Sequence, residues 1–223
     1  MDRVEVAILC TILYSDLFDA PLTLGELHHY LISEEPVSKD RIIEVLESSA
    51  HLRQIIVRDG EFLALKEHSA CIANKKTRRA EIEHKWSEAL RYGDWFKYVP
   101  FVRMVALTGA VAARNPRGPD DDYDYMLITE PRRVWLARAI AIILVRIARL
   151  RGVHLCPNLI IASDHLKQKR QDLYVAREIA QMVPLFGQYL YQELREQNQW
   201  TSQFLPNAAI RSGNDELRWH SWK

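Results

Sequence analysis

Asp122 and Asp124 stand two residues apart in the run GPDDDYDYMLIT, where a cluster of four aspartates, Asp120, Asp121, Asp122 and Asp124, leads straight into an apolar stretch. In a strand, side chains alternate, so these two carboxylates leave one face with Cα atoms roughly 6 to 7 Å apart while Tyr123 and Tyr125 leave the other. Carboxylates that close repel unless one is protonated or a cation lies between them. A hard divalent ion with oxygen ligands suits the spacing, and Mg2+ is the natural candidate. Upstream, Thr108-Gly109-Ala110 follows an apolar stretch and precedes a short helical pattern. Glycine there lets a phosphate approach backbone N–H groups and the positive end of a helix. A cation site facing an anion site is the geometry of phosphoryl or nucleotidyl transfer. The plainer reading of the same residues is an acidic, solvated turn that caps the strand.

The elements that must position these residues can be traced by pattern. Residues 4–15 are apolar on most sides and suit a first helix that stops before Pro21. Thr23 and Glu26 form a capping box for a second helix, and Ser38 can cap a third with Ile42, Ile43, Val45 and Leu46 inward. Residues 54–65 read as a two-stranded hairpin around Asp59-Gly60. Three helices and a hairpin over residues 1–66 give a winged-helix-like order. Residues 67–98 are polar with helical periodicity and read as a connecting helix with a solvated face, carrying Lys75, Lys76, Arg78, Arg79 and Lys85. Over residues 99–205 strands and helices alternate: strands near 101–107, 123–129 and 155–162, helices after Gly109, over 131–151, and from about His165 and Pro184. The fold class expected is α/β (α+β), a mixed sheet flanked by helices and preceded by the winged-helix-like domain. Residues 206–223 form a tail whose aromatics, with Trp200 and Phe204 before them and Trp219 and Trp222 within, are expected to dock on the sheet domain or on a second subunit.

Composition narrows the classes. In 223 residues, 48% are hydrophobic, 26% are charged and the net charge is +1, which is ordinary for a globular chain and provides no overall field toward nucleic acid or membrane. Cys10, Cys71 and Cys156 are odd in number and scattered, as reduced thiols are. His154, Cys156 and His165 match no zinc-finger spacing. The N-terminal Met-Asp-Arg-Val-Glu lacks the basic and apolar regions of a signal peptide, so a cytoplasmic chain is expected. The apolar run 134–148, broken by Arg138 and Arg146, is too short to span a bilayer and reads as a buried helix, with no membrane partner. Residues 1–66 carry twelve acidic against six basic residues, so that module is expected to pack on protein and not to grip duplex DNA.

The stretch ALTGAVAARNPRGPDDDYDYMLIT resembles the signature of nucleotidyltransferases of the DNA polymerase β superfamily: an apolar strand, a glycine pair, a gap of about a dozen residues, then Asp-x-Asp in a strand. The winged-helix-like front end is similar to that of uncharacterised microbial members with this domain. The resemblance implies Mg2+ at Asp122 and Asp124, an NTP bound near Thr108, Gly109 and Ala110, and transfer of a nucleoside monophosphate to an acceptor hydroxyl on an unidentified protein, small molecule or RNA. It departs from the family at Ala110, where Ser or Gly is usual. The family's third carboxylate, a general base on a later strand, has Asn158 as its counterpart, and Asp164 beyond it reads better as the cap of a helix beginning near His165. Arg114 and Arg117, in the intervening loop, could clamp phosphate oxygens. Two other readings remain: a catalytically silent nucleotide-binding or interaction module, which Ala110 and Asn158 favour, and a winged-helix DNA regulator, which the acidic front end disfavours.

Overall fold

The structure is a computed structural model, and residues 2–209 are described. It is a mixed α/β fold with two sheets flanked by helices. The chain divides into two compact units: Met1–Arg79 with Asp172–Ala180 and Trp200–Lys223, and Ala80–Gln171 with Gln181–Gln199. The tail aromatics Trp219 and Trp222 lie outside the described residues. No helix among the described residues is long and apolar enough to cross a membrane.

The first unit begins with α1 (Arg3–Asp16), β1 (Leu22–Thr23), α2 (Leu24–His29), α3 (Lys39–Ser48), α4 (Ala50–Ile55), β2 (Ile56–Asp59), β3 (Phe62–Leu65) and α5 (Ala70–Thr77). Local chemistry sets the helix starts. Thr23 Oγ1 accepts from the Glu26 amide while the Glu26 carboxylate accepts from the Thr23 amide at 2.7 Å, and the Ser38 and Ser49 hydroxyls cap α3 and α4. Gly60, at φ 64°, turns β2 into β3, and the small antiparallel sheet runs β1-β3-β2. Ile8, Ile12, Leu27, Leu31, Ile42, Leu52 and Leu63 fill the core. The basic cluster after the hairpin is largely spent within the unit. Lys75 is buried and donates to the Pro21 carbonyl, Lys76 pairs with Asp59 at 2.7 Å, and Arg79 pairs with Glu61 at 3.9 Å. Trp200 and Phe204 pack edge to face at 6.2 Å in a cluster with Ala176 and Leu205 of this same unit.

The second unit takes α6 (Arg79–Phe96), β4 (Val102–Leu107), α7 (Gly109–Ala112), β5 (Tyr123–Thr129), α8 (Val134–Arg149) and β6 (Leu155–Ala162). After α9 (Leu173–Gln181), which lies largely in the first unit, come β7 (Val183–Phe186) and α10 (Gln188–Gln197), and α11 (Pro206–Ala209) closes the first unit. The sheet order is β6-β5-β4-β7, with β5 and β6 parallel and the other pairs antiparallel. Phe96 and Ala89 of α6, Ala137, Ala141 and Ala148 of α8, and Tyr125 and Leu127 of β5 share one core cluster.

Three expectations are revised here. Residues 165–171 form no helix, so Ser163 and Asp164 cap nothing; the cap that exists is Asp172, whose carboxylate accepts from the Val175 amide at 2.9 Å at the start of α9. Pro184 opens no helix: it lies in β7, an edge strand where a missing N–H is tolerated. The apolar helix is buried only through Ala137, Ala141 and Ala148 and partly through Val134, Ile140, Leu144 and Val145, and its largest side chains face outward. An all-apolar sequence does not reveal which face packs; small residues let α8 approach the sheet closely, and the bulky ones are left outside.

Gly187 precedes α10 at φ 75°, and a Cβ there would run into the Arg103 carbonyl and Met104 Cα of β4. Gly152 has nearly the same φ, 74°, with open space around it. Gly152→Ala should therefore cost about 1 kcal/mol from the left-handed backbone alone. Gly187→Ala should cost about 3 kcal/mol, because the backbone must also shift. Denaturant melts giving equal losses for the two variants would contradict this packing.

Candidate functional site

Strand β5 carries Asp124, and Asp122 stands one residue before the strand begins. Tyr123 and Tyr125 point into the core, where the Tyr123 hydroxyl donates to Glu88 at 2.8 Å and the Tyr125 hydroxyl donates to the Ala89 carbonyl at 2.7 Å. Burial pushes both phenols well up from their ordinary range. Gly93 of α6 leaves no room for a Cβ beside the Tyr125 ring and Leu185, so α6 lies close on the strand. With the tyrosines fixed, Asp122 and Asp124 must take the other face: Asp122 is exposed and Asp124 half-buried.

The glycine turn meets Asp124 directly. In the β4/β5 ladder Leu107 is opposite Tyr125, and the Thr108 amide donates to the Asp124 carbonyl at 2.9 Å. Gly109 follows at φ 67°, and a Cβ there would collide with the Asp124 carboxylate. Both the backbone angle and the space demand glycine. α7 is a single four-residue turn, so the macrodipole expected at Gly109 is small; what the turn offers is its amides, which the Thr108 side chain does not cap.

On the other side, β6 places Cys156 level with Asp124 in the parallel register. Its thiol hydrogen-bonds the Asp124 carboxylate, and burial beside that carboxylate pushes the thiol up to about 11. Burial also raises Asp124 above the ordinary carboxylate value, reinforced by the charges of Asp122 and Asp121 and opposed by the thiol. The register then slips between Asp124 and Met126, leaving exposed Asn158 in the irregular stretch opposite Tyr125. Asp164 lies beyond the strand, exposed and bonded to His165 at 2.8 Å. Neither position supplies a carboxylate beside Asp124. His154 comes within 3.7 Å of Asp122. Among the described residues no group of three His, Cys, Asp or Glu side chains is drawn together as a metal site would need.

The loop before the pair is built from below. Lys85 is buried, donates to the Asp121 carbonyl at 2.7 Å and lies 4.8 Å from the Tyr123 ring centre; burial lowers its pKa. The Asp121 carboxylate accepts from the Arg117 amide at 2.8 Å, which makes Asp121 part of the loop frame. Arg114 is buried at φ 53°, pairs with Glu83 at 2.6 Å and stacks on Trp86 at 3.8 Å, so its guanidinium is turned to α6; Arg117 is exposed. Pattern reading missed Cys156, which the parallel register would have found, and Lys85, which looked like one more charge on a polar helix.

A scan of protein-family models finds no match to this chain, and a search of curated proteins finds none either.

Because the native state keeps the Asp124 proton to higher pH than the unfolded chain, whose ordinary value is 3.8, the native state binds more protons across that interval. Asp124's contribution to stability therefore falls as pH rises through the interval, and the ionised carboxylate is a net cost above it. Asp124→Asn should flatten that fall and melt at the same temperature as wild type or higher at pH 7 without metal. A clearly lower melting temperature at pH 7 would contradict the assignment of Asp124 as a strained, half-buried acid.

Proposed function

We propose that the chain is a nucleotidyltransferase-fold protein, with a winged-helix-like first unit, that binds a nucleoside triphosphate with Mg2+ at the Asp122/Asp124 face. The observation that supports this reading is the Gly109 turn lying against the Asp124 carboxylate, which sets backbone amides not capped by a side chain beside that carboxylate, with Asp122 two residues before it. The donor set fits Mg2+, which commonly takes one or two carboxylates and completes its shell with phosphate oxygens and water, and does not fit an all-protein cage. Mg2+ bound there would neutralise charge on the transferring phosphate.

The chain's own residues divide the work. Asp122 is exposed to water, while Asp124, half-buried and hydrogen-bonded to the Cys156 thiol, would exchange that bond for the cation. Gly109 lets the phosphate chain approach, and the amide at Ala110 can donate where a family hydroxyl would. Arg114, committed to Glu83 and Trp86, holds the loop base, which leaves Arg117 as the loop arginine free to reach phosphate. β6 offers Cys156 and Asn158 where a general base is needed, so the acceptor hydroxyl must ionise unaided or through water. Transfer of a nucleoside monophosphate by this site is therefore slow and rises with pH. Cys156 beside Asp124 favours a second reading, nucleotide binding without turnover. DNA regulation through the first unit is disfavoured by its acid excess and by the pairing of Lys76 and Arg79 with the hairpin acids.

A thermal-shift screen of NTPs with and without Mg2+ should raise the melting temperature by several degrees only when both are present, since a ligand selective for the native state stabilises it. Asp122→Asn or Asp124→Asn should remove the shift, and Asp120→Asn should keep most of it. Pyrophosphate release measured in parallel separates binding from transfer. Retention of the full shift in Asp122→Asn would show the aspartates to be a structural turn.

A further inference from the structure

The outward face of α8 has no role in the site above. Trp135 is 82% exposed and Leu150 88%, and between them Leu136, Ile142, Ile143 and Ile147 are also exposed. Leu136, Ala139, Ile143, Ile147 and Leu150 recur at helical spacing and make one continuous stripe, with Trp135 and Ile142 on its shoulder. A stripe of large side chains this long is uncommon on an unpartnered surface.

The charge around the stripe says what can cover it. From Pro131 through Ser163 the sequence contains no Asp or Glu and six arginines: Arg132, Arg133, Arg138, Arg146, Arg149 and Arg151. Arg138, Arg146 and Arg149 project from the exposed side of α8 itself. Arg133 and Arg151 stack on Phe101 and Trp95. A second copy of the helix would bring like charges together beside the stripe. Nucleic acid would meet the arginines and leave the leucine and isoleucine side chains in water. A surface that is anionic at its face and apolar beneath accommodates both sets at once: arginines at the headgroups, Ile143, Ile147 and Leu150 in the acyl boundary, and Trp135 at the interface. The shortness that prevents α8 from crossing a bilayer does not bear on lying along one.

We propose that α8 adsorbs the protein to anionic lipid bilayers through this face. The test is co-sedimentation of the full chain with phosphatidylcholine vesicles and with vesicles in which half the lipid is phosphatidylserine. Expected is binding to the anionic vesicles that is at least about ten-fold tighter than to the neutral ones and that weakens with salt. Ile143→Asp with Ile147→Asp, and separately Arg138→Gln, Arg146→Gln and Arg149→Gln together, should each lower it by about ten-fold or more. All these positions are exposed, and circular-dichroism melts confirm that the variants fold; the arginine variant decides the matter should the aspartate variant not. Asp122→Asn should bind vesicles as wild type does, which keeps this test separate from the nucleotide reading. The proposal is overturned if wild type ignores anionic vesicles, binds neutral ones equally, or binds undiminished after both sets of changes. It is also overturned if sedimentation shows a dimer that Ile143→Asp with Ile147→Asp dissolves while no vesicle binding is found.

Discussion

Everything in the second unit that bears on chemistry depends on β5 being a core strand on one face only. Tyr123 and Tyr125 are tied to α6 through Glu88 and the Ala89 carbonyl, and that pair of hydrogen bonds sets the strand's phase. A slip of one residue would send two carboxylates into the cluster with Phe96 and Leu127 and expose two aromatic rings. Asp124 is thus turned away from the core by the same alternation that builds it, with Asp122 just before the strand. Gly109 then fits against Asp124 because β4 and β5 bring it there in register.

Electrostatics follow from this placement. Half-burial makes Asp124 reluctant to ionise, and the neighbouring acids add to the cost. Below it, Lys85 contributes a buried positive charge to the Asp121 carbonyl and steadies the loop without occupying the face. The arginine nearest in sequence, Arg114, is drawn inward by Glu83 and Trp86. The Gly109 turn and the Asp124 carboxylate therefore lie together, and β6 offers no carboxylate beside them.

How much of this was legible depended on range. The capping box at Thr23, the Ser38 cap, the hairpin at Gly60 and the inward phase of Tyr123 and Tyr125 all rest on residues within a few positions of each other, and the sequence shows them. Cys156 beside Asp124 rests on strand pairing across the whole of the intervening α8, and Lys85 beneath Asp121 on helix packing; neither has a local signature. Pro184 misled because proline reads as a helix start, whereas an edge strand also accepts it. The outward face of α8 was hidden by uniform composition: alanines and isoleucines alternate along it, and only packing decides which set is buried.

The central claim is that Asp122 and Asp124 act together on one metal-bound nucleotide, and a double-mutant cycle addresses it most directly. Isothermal titration of Mg2+ and NTP would be run on wild type, Asp122→Asn, Asp124→Asn and the double variant. Carboxylates that share one cation are strongly coupled, so each single change should lose as much affinity as the pair of changes. Additive small losses, or single variants that bind as wild type does, would contradict a shared site.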